Sequence, residues 1–326
     1  MKNVKTFQNR VENEIQKLFS NIVEPQNLYD PIKYVMSLGG KRIRPVLCLA
    51  GCAVFNAEAV EDAVSSAVGL EIFHNFTLLH DDLMDRSDMR RNNPTVHKKW
   101  NDNTAILSGD AMMIMAIMQM SKAPARVLNQ ILDVFNRTAL EVCEGQQYDM
   151  DFETRNDVAE NEYLNMIRLK TSVLLGGSIK IGAIIGGAEN KDAQILYEFG
   201  CNAGMAFQLQ DDWLDVYGES SKFGKPIGGD IVCNKKTFLL ISAQNNLSDA
   251  GKNELAKWLD KKEFNRDEKI EKIKILYENA KVSKKAQEKM NLYYNNSLKC
   301  LCKIKGSKEI LDELAEMAEN LMIRTR

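Results

Sequence analysis

The chain has 326 residues, 44% of them hydrophobic and 27% charged, enough apolar sequence for a large buried core. Its net charge of −2 gives no global basic field, and with that the main argument for a nucleic-acid partner falls away. No charged-then-apolar leader and no unbroken apolar run of 18 residues occurs, so neither secretion nor a spanning helix is expected.

Helical periodicity predicts elements over 4–21, 60–80, 104–120, 126–150, 160–180, 192–217 and 267–302. Only Ile179–Ile185, flanked by glycine, reads equally well as a strand. The six prolines stand at 25, 31, 45, 94, 124 and 226, leaving 125–225 and 227–326 without any. Strand-and-turn chains seldom run so far without proline, and these stretches are rich in Ala, Leu, Met, Glu, Lys and Gln. The expected fold is all-α: one large single-domain helical bundle over 1–326, packed around a central cavity into which side chains project. No linker or fixed-period repeat argues for a boundary. The seven cysteines (48, 52, 143, 201, 233, 300 and 302) are odd in number and scattered through apolar sequence. Reduced thiols in a cytoplasmic protein fit that pattern better than a disulfide framework.

Two acidic pentapeptides carry the chemistry. Residues 81–85 read Asp-Asp-Leu-Met-Asp and 211–215 read Asp-Asp-Trp-Leu-Asp, each following an apolar run. Carboxylates are rarely set on the buried side of a helix unless their charge is compensated. Positions i and i+4 share a helix face, roughly 6 Å apart, so Asp81 pairs with Asp85 and Asp211 with Asp215. All-oxygen ligation favours a hard cation, and Mg²⁺ keeps waters and draws further ligands from substrate phosphates. Neither segment has the glycine and glutamate of a calcium-binding EF-hand loop.

A polyanionic ligand also needs cations. Gly39-Gly40-Lys41-Arg42-Ile43-Arg44-Pro45 sets three after a Gly turn that would end the preceding helix. Arg90-Arg91 follows Asp85, Lys170-Thr171 opens an apolar run, and Gly224-Lys225-Pro226-Ile227-Gly228-Gly229-Asp230 is a loop ahead of Lys235-Lys236. Arg forks grip phosphate in bidentate fashion while Lys acts as a mobile charge. The Gly-Lys-Ser/Thr spacing of a nucleotide-binding P-loop is absent.

Taken together, Gly-Gly-Lys-Arg-x-Arg-Pro, His74 to Asp85, Arg90-Arg91, Lys170-Thr171, Gln208 to Asp215 and Gly224 to Lys235 resemble the trans-polyprenyl diphosphate synthase family of the short-chain type. The resemblance covers about 35 to 240, in the family's order. It implies the type I isoprenoid synthase fold, a homodimer, and ionisation of an allylic diphosphate whose cation is attacked by isopentenyl diphosphate. About three Mg²⁺ ions are implied, with Mn²⁺ able to substitute. Direct metal ligands would be Asp81, Asp85 and Asp211, with Asp82, Asp215 and Asp149 behind them. Arg90, Lys170, Lys225 and Lys235 would hold the allylic diphosphate, and Lys41, Arg44, His74 and Arg91 the isopentenyl diphosphate. Thr171 and Gln208 would turn oxygen dipoles toward the cation. Released diphosphate would take the proton, which leaves His80 and His97 to packing or capping. Where relatives usually carry Gly after the paired arginines, this chain has Asn92, a residue that tolerates a left-handed turn.

The resemblance also makes Phe76, five positions before Asp81, the floor on which a growing chain stops, with Thr77 and Phe73 beside it. That favours a C20 product, followed by C15. Phe73 and Phe76 can equally be read as core residues. Three other readings compete. A terpene cyclase would not need Lys41 and Arg44, a non-catalytic subunit of a heteromeric synthase could lose aspartates kept here, and a helical scaffold leaves the paired acid and base motifs unexplained. Segment 248–290 and the terminal Arg324-Thr325-Arg326 carry no assignable function.

Overall fold

Helices begin and end where local sequence lets them, and several boundaries carry no glycine or proline. A computed structural model of the chain describes residues 1–20, 24–218 and 227–322. Helices α1 (Lys2–Ser20), α2 (Gln26–Ser37), α3 (Ile43–Phe55) and α4 (Val60–Met84) lead to a two-stranded ribbon, β1 (Met89–Arg90) and β2 (Asn93–Pro94). There follow α5 (Val96–Lys99), α6 (Asp102–Met120), α7 (Leu128–Thr154), α8 (Glu160–Ile167), a π-helical turn (Arg168–Ser172), α9 (Val173–Ile185) and α10 (Asn190–Tyr217). The remainder comprises α11 (Gly229–Val232), α12 (Phe238–Asn246), α13 (Asp249–Asp260), α14 (Arg266–Asn279), α15 (Val282–Leu301) and α16 (Lys308–Met322).

The fold is all-α as expected, and Ile179–Ile185 is helical. The stretch read as one helix over 267–302 is two: Lys281 takes φ 55°, a left-handed turn that ends α14 and starts α15. The ribbon was not expected. Its two central residues, Arg91 (φ 52°) and Asn92 (φ 60°), are both left-handed, the backbone that a two-residue hairpin of matching twist requires. Lys225, with Gly224 and Pro226, and the C-terminal Arg324-Thr325-Arg326 lie outside the described residues.

The chain groups into two compact units. The first comprises Met1–Arg137, Gly177–Tyr197 and Ile304–Leu314. Its axis is α4, which has no single apolar face and packs between α3 and α6. Gly51 of α3 and Gly182 of α9 let those backbones touch, since a Cβ on either would overlap a carbonyl, that of Ile179 or Cys48. Arg42, itself left-handed at φ 48°, ties four elements together. Its Nε donates to Glu12 of α1 (2.6 Å), Nη1 to Glu71 of α4 (2.8 Å) and Nη2 to the Met36 carbonyl of α2 (2.8 Å), all from the start of α3.

The second unit comprises Thr138–Gly176, Glu198–Lys303 and Ala315–Arg326. Its core gathers Phe152, Tyr163, Leu209, Val216, Phe238 and Ile273 with their neighbours.

Removing one partner of a buried ion pair leaves the other charge uncompensated. Glu71→Ala is expected to cost about 3 kcal/mol of unfolding free energy, read from the urea midpoint. A loss under about 1 kcal/mol would show that Arg42 is not the clasp of this unit.

Candidate active site

Both acidic motifs end long helices, and in both the middle aspartate is turned inward. Asp81 and Asp82 close α4 and Asp85 caps it, its N–H donating to the Asp81 carbonyl at 2.9 Å. Asp82 is 5% exposed and is gripped by Arg90, Nε at 3.0 Å and Nη2 at 2.6 Å. Burial pushes the Asp82 carboxyl up and the Arg90 guanidinium opposes it. The ribbon delivers Arg90 back onto the helix it follows, where it also approaches Asp81 at 3.6 Å. Asp81 is half-buried and Asp85 exposed.

Beside this motif the first unit collects cations around one imidazole. Burial drives the His74 pKa well below its ordinary value, and the charges of Arg44, Arg91, Arg90 and Arg42 drive it the same way. Burial likewise lowers Arg44 to about 10, with Glu71 opposing and Arg91 adding. Arg44 Nε is buried with no acceptor among the described residues. Arg91 donates to the Gly39 carbonyl, and Gly40 leaves room for it, since a Cβ there would stand 3.0 Å from the guanidinium. Guanidiniums gathered in this way have donors suited to an anion. Lys41 is exposed, its carbonyl accepting from Gln8 at 2.9 Å.

Below Asp81 the residues read as a floor form an aromatic ladder on α4. Phe73 is fully buried, 5.6 Å from Phe76 and edge-on to Phe135 at 5.4 Å. Phe76 is half-buried and meets His80 at 4.8 Å. His80 is held by the Ile106 carbonyl (3.1 Å) and faces Gly109, whose missing Cβ makes room for the ring. The Thr77 hydroxyl bonds back to the His74 carbonyl at 2.8 Å. His97 is buried with Nδ1 3.2 Å from the Thr95 hydroxyl. The Nε2 of His97 is buried with no hydrogen-bond partner among the described residues.

The second unit repeats the design with different partners. Asp212, 5% exposed, accepts from the Tyr163 hydroxyl and from Gln208 Nε2 at 3.1 Å, while Thr171 donates to Gln208 Oε1 at 3.2 Å. Burial and the nearby Asp230 raise the Asp212 pKa. Asp211 and Asp215 are half-buried; Asp215 Oδ2 accepts the Asp230 N–H at 3.0 Å. Asp149 of α7 takes Lys170 at 2.7 Å, with Lys235 at 3.9 Å. Burial raises that carboxyl, but Lys235 and Lys170 outweigh it and hold it below the ordinary range.

Lys170 and Thr171 stand on the π-turn, closed by the Val173 N–H to the Arg168 carbonyl. Two glycines let neighbouring helices reach it: a Cβ on Gly145 of α7 would strike the Lys170 backbone, and one on Gly204 of α10 would come within 2.7 Å of Ser172 Cα. Such turns are frequent at functional sites.

Comparison with known proteins places the chain in one family. The sequence model of the polyprenyl synthetase family matches residues 25–277. The chain is 43% identical to the geranylgeranyl diphosphate synthase of Methanosarcina mazei over 244 residues, 74% of each chain. It is 38% identical to the geranylfarnesyl diphosphate synthase of Natronomonas pharaonis over 241 residues, 69% of this chain and 71% of that one. A crystal structure of a geranylgeranyl pyrophosphate synthase superposes with a TM-score of 0.93 at 43% identity, covering 99% of both chains. The chain belongs to the polyprenyl synthetase family.

As a member it is a prenyltransferase with the all-α fold of the isoprenoid synthases. Within this synthase, Arg44, His74 and Arg91 come together, as do Asp149, Lys170 and Lys235, and Thr171 and Gln208. Arg90, expected on a substrate diphosphate, is paired with Asp82. Sequence reasoning missed Asp212 with Tyr163, the clasp Arg42–Glu71, and Phe135. The second Asp of each doublet was the available signal for Asp212, because a lone i,i+4 pair needs no doublet.

The carboxylates fit a hard cation that brings its own water and phosphate ligands. Every donor is a carboxylate oxygen, the inner aspartates are occupied by protein groups, and no trio of His, Cys, Asp or Glu among the described residues could hold an ion by itself.

Because His74 is neutral when folded and free to protonate when unfolded, protonation favours unfolding. Its contribution is complete above the ordinary histidine pKa of about 6.5 and is lost as pH falls below it. Urea midpoints at decreasing pH should therefore fall more steeply for the native chain than for His74→Gln. Parallel curves would show that the cation cluster does not act on this ring.

Proposed function

We propose that the chain catalyses Mg²⁺-dependent head-to-tail condensation of isopentenyl diphosphate with an allylic diphosphate (dimethylallyl, geranyl or farnesyl), releasing diphosphate, with a C20 product favoured over C15. One observation carries this reading: in both motifs the inner aspartate is buried and tied to protein while the outer two stand closer to solvent. In this reading Asp81, Asp85 and Asp211 hold about three magnesium ions, with Asp82, Asp215 and Asp149 behind them. Bound magnesium neutralises charge developing on the departing diphosphate.

The remaining work falls to the chain's own side chains. In this reading Lys170, Lys235, Lys225 (the last outside the described residues) and Arg90 hold the allylic diphosphate; Arg90 also orders Asp82. Arg44, His74, Arg91 and Lys41 hold the isopentenyl diphosphate, whose charge reverses the field that keeps His74 neutral. Thr171 and Gln208 present oxygens to the allylic cation. Phe76 closes the chain path, steadied by Phe73 and His80, with Thr77 beside it. In this reading the chain is a single synthase domain over 1–326, which the family match at 25–277, with residues in each unit, supports.

The chain is a homodimer in this reading. Ile106, Leu107, Ile114 and Met118 form an exposed apolar stripe along α6 that a second copy would cover. A cytoplasmic location accords with seven free cysteines, and no described helix is long and apolar enough to cross a membrane.

Purified protein given isopentenyl and dimethylallyl diphosphates with Mg²⁺ should yield mainly C20 by mass analysis. Asp81→Ala is expected to lower kcat at least about 100-fold, and Phe76→Ala to lengthen the product. Activity indifferent to EDTA or to Asp81→Ala would overturn the metal mechanism, and a native C40 product would overturn the floor. Charge on the α6 stripe, as in Ile114→Glu with Met118→Glu, should halve the mass seen by light scattering; an unchanged mass would remove the dimer face.

A further inference from the structure

Lys269 of α14 is 0% exposed, yet its ammonium is held by neutral oxygens and no carboxylate pairs with it among the described residues. Its ammonium donates to the Val232 carbonyl at 3.2 Å and to Asn234 Oδ1 at 2.7 Å, and lies 4.1 Å from the centre of the Phe264 ring. Burying a lysine is costly unless its donors are satisfied, so the position calls for a reason beyond packing.

The reason lies in what Lys269 holds. Asn234 is left-handed at φ 54°, and its amide also donates to the Leu259 carbonyl of α13 at 2.9 Å. One side chain thus joins α13, α14 and the segment before Lys235. At the other end of that segment, Arg266 donates to the Ile227 carbonyl at 2.7 Å. Ile270 packs so closely on left-handed Gly228 that a Cβ there would come within 2.6 Å. Arg266, Lys269 and Ile270 share one face of the first turn of α14. The segment they bracket reaches the second aspartate motif directly: the Gly228 N–H donates to the Asp215 carbonyl at 2.6 Å, and the Asp230 N–H to the Asp215 carboxylate at 3.0 Å. Lys235 follows, its N–H on the Asp230 carbonyl at 2.9 Å and its ammonium 3.9 Å from Asp149.

We infer that Lys269 is a positioning residue for the allylic diphosphate site, a buried brace that sets Lys235 through Asn234. The inference rests on the reading of Lys235 as a diphosphate ligand. It assigns a function to part of 248–290: the first turn of α14 shapes substrate binding without touching substrate.

Lys269→Met keeps the volume and removes the donors. Asn234→Gly keeps the left-handed backbone and removes the bridge, and it answers the question should Lys269→Met fail to fold. Each is expected to raise KM for the allylic diphosphate about tenfold while KM for isopentenyl diphosphate stays within about twofold, a split that general loosening of the fold would not produce. Combined with Lys235→Ala, either should add little, since both act through one group. Lower melting temperatures with both KM values unchanged would overturn the brace, as would effects that multiply with Lys235→Ala. Lys235→Ala leaving the allylic KM where it was would overturn the assignment of Lys235 and the brace with it. A rise in Lys235→Ala beside unchanged Lys269→Met and Asn234→Gly would overturn the brace alone.

Discussion

A charge placed inside an apolar helical body has to be answered there, and this constraint organises both units. Arg42 is answered by Glu12 and Glu71, Asp82 by Arg90, Asp149 by Lys170 and Asp212 by Tyr163 with Gln208. Such pairs seldom stabilise a fold more than well-packed apolar residues would, because desolvation offsets their attraction. What they provide is position. Each inner charge fixes the helix end or turn on which an outer, more accessible charge sits.

Fold class was legible because helical periodicity and the proline-free stretches agree with each other. The element ends were less so. Lys281 turns left-handed without the glycine that would have announced it, so one long helix was read where two exist. The ribbon at 89–94 hides behind Arg91, an improbable residue for its backbone. The glycines flanking Ile179–Ile185 looked like strand punctuation, whereas Gly186, like Gly182 inside the run, lies against α3, with a Cβ there 2.5 Å from the Cys52 carbonyl.

The site was legible in its chemistry and less so in its pairing. Aspartates in apolar sequence stand out, but α4 has no single apolar face, so periodicity cannot say which carboxylate faces inward. The same limit separates Arg42 from Arg44. Two positions apart in one basic segment, Arg42 is the clasp of its unit, whereas the Nε of Arg44 is buried with no acceptor among the described residues. Only the folded positions of Glu12, Glu71 and His74 distinguish them.

The extra residue carried by 168–172 has a consequence for insertions and deletions. Each residue of a regular helix advances the chain by about 100° around the axis. Shortening this stretch by one would restore the regular wind while rotating all of α8 relative to α9, and Tyr163 would swing off Asp212. Length drift that surface loops absorb freely is therefore closed to this stretch, even at positions whose side chains contact nothing reactive.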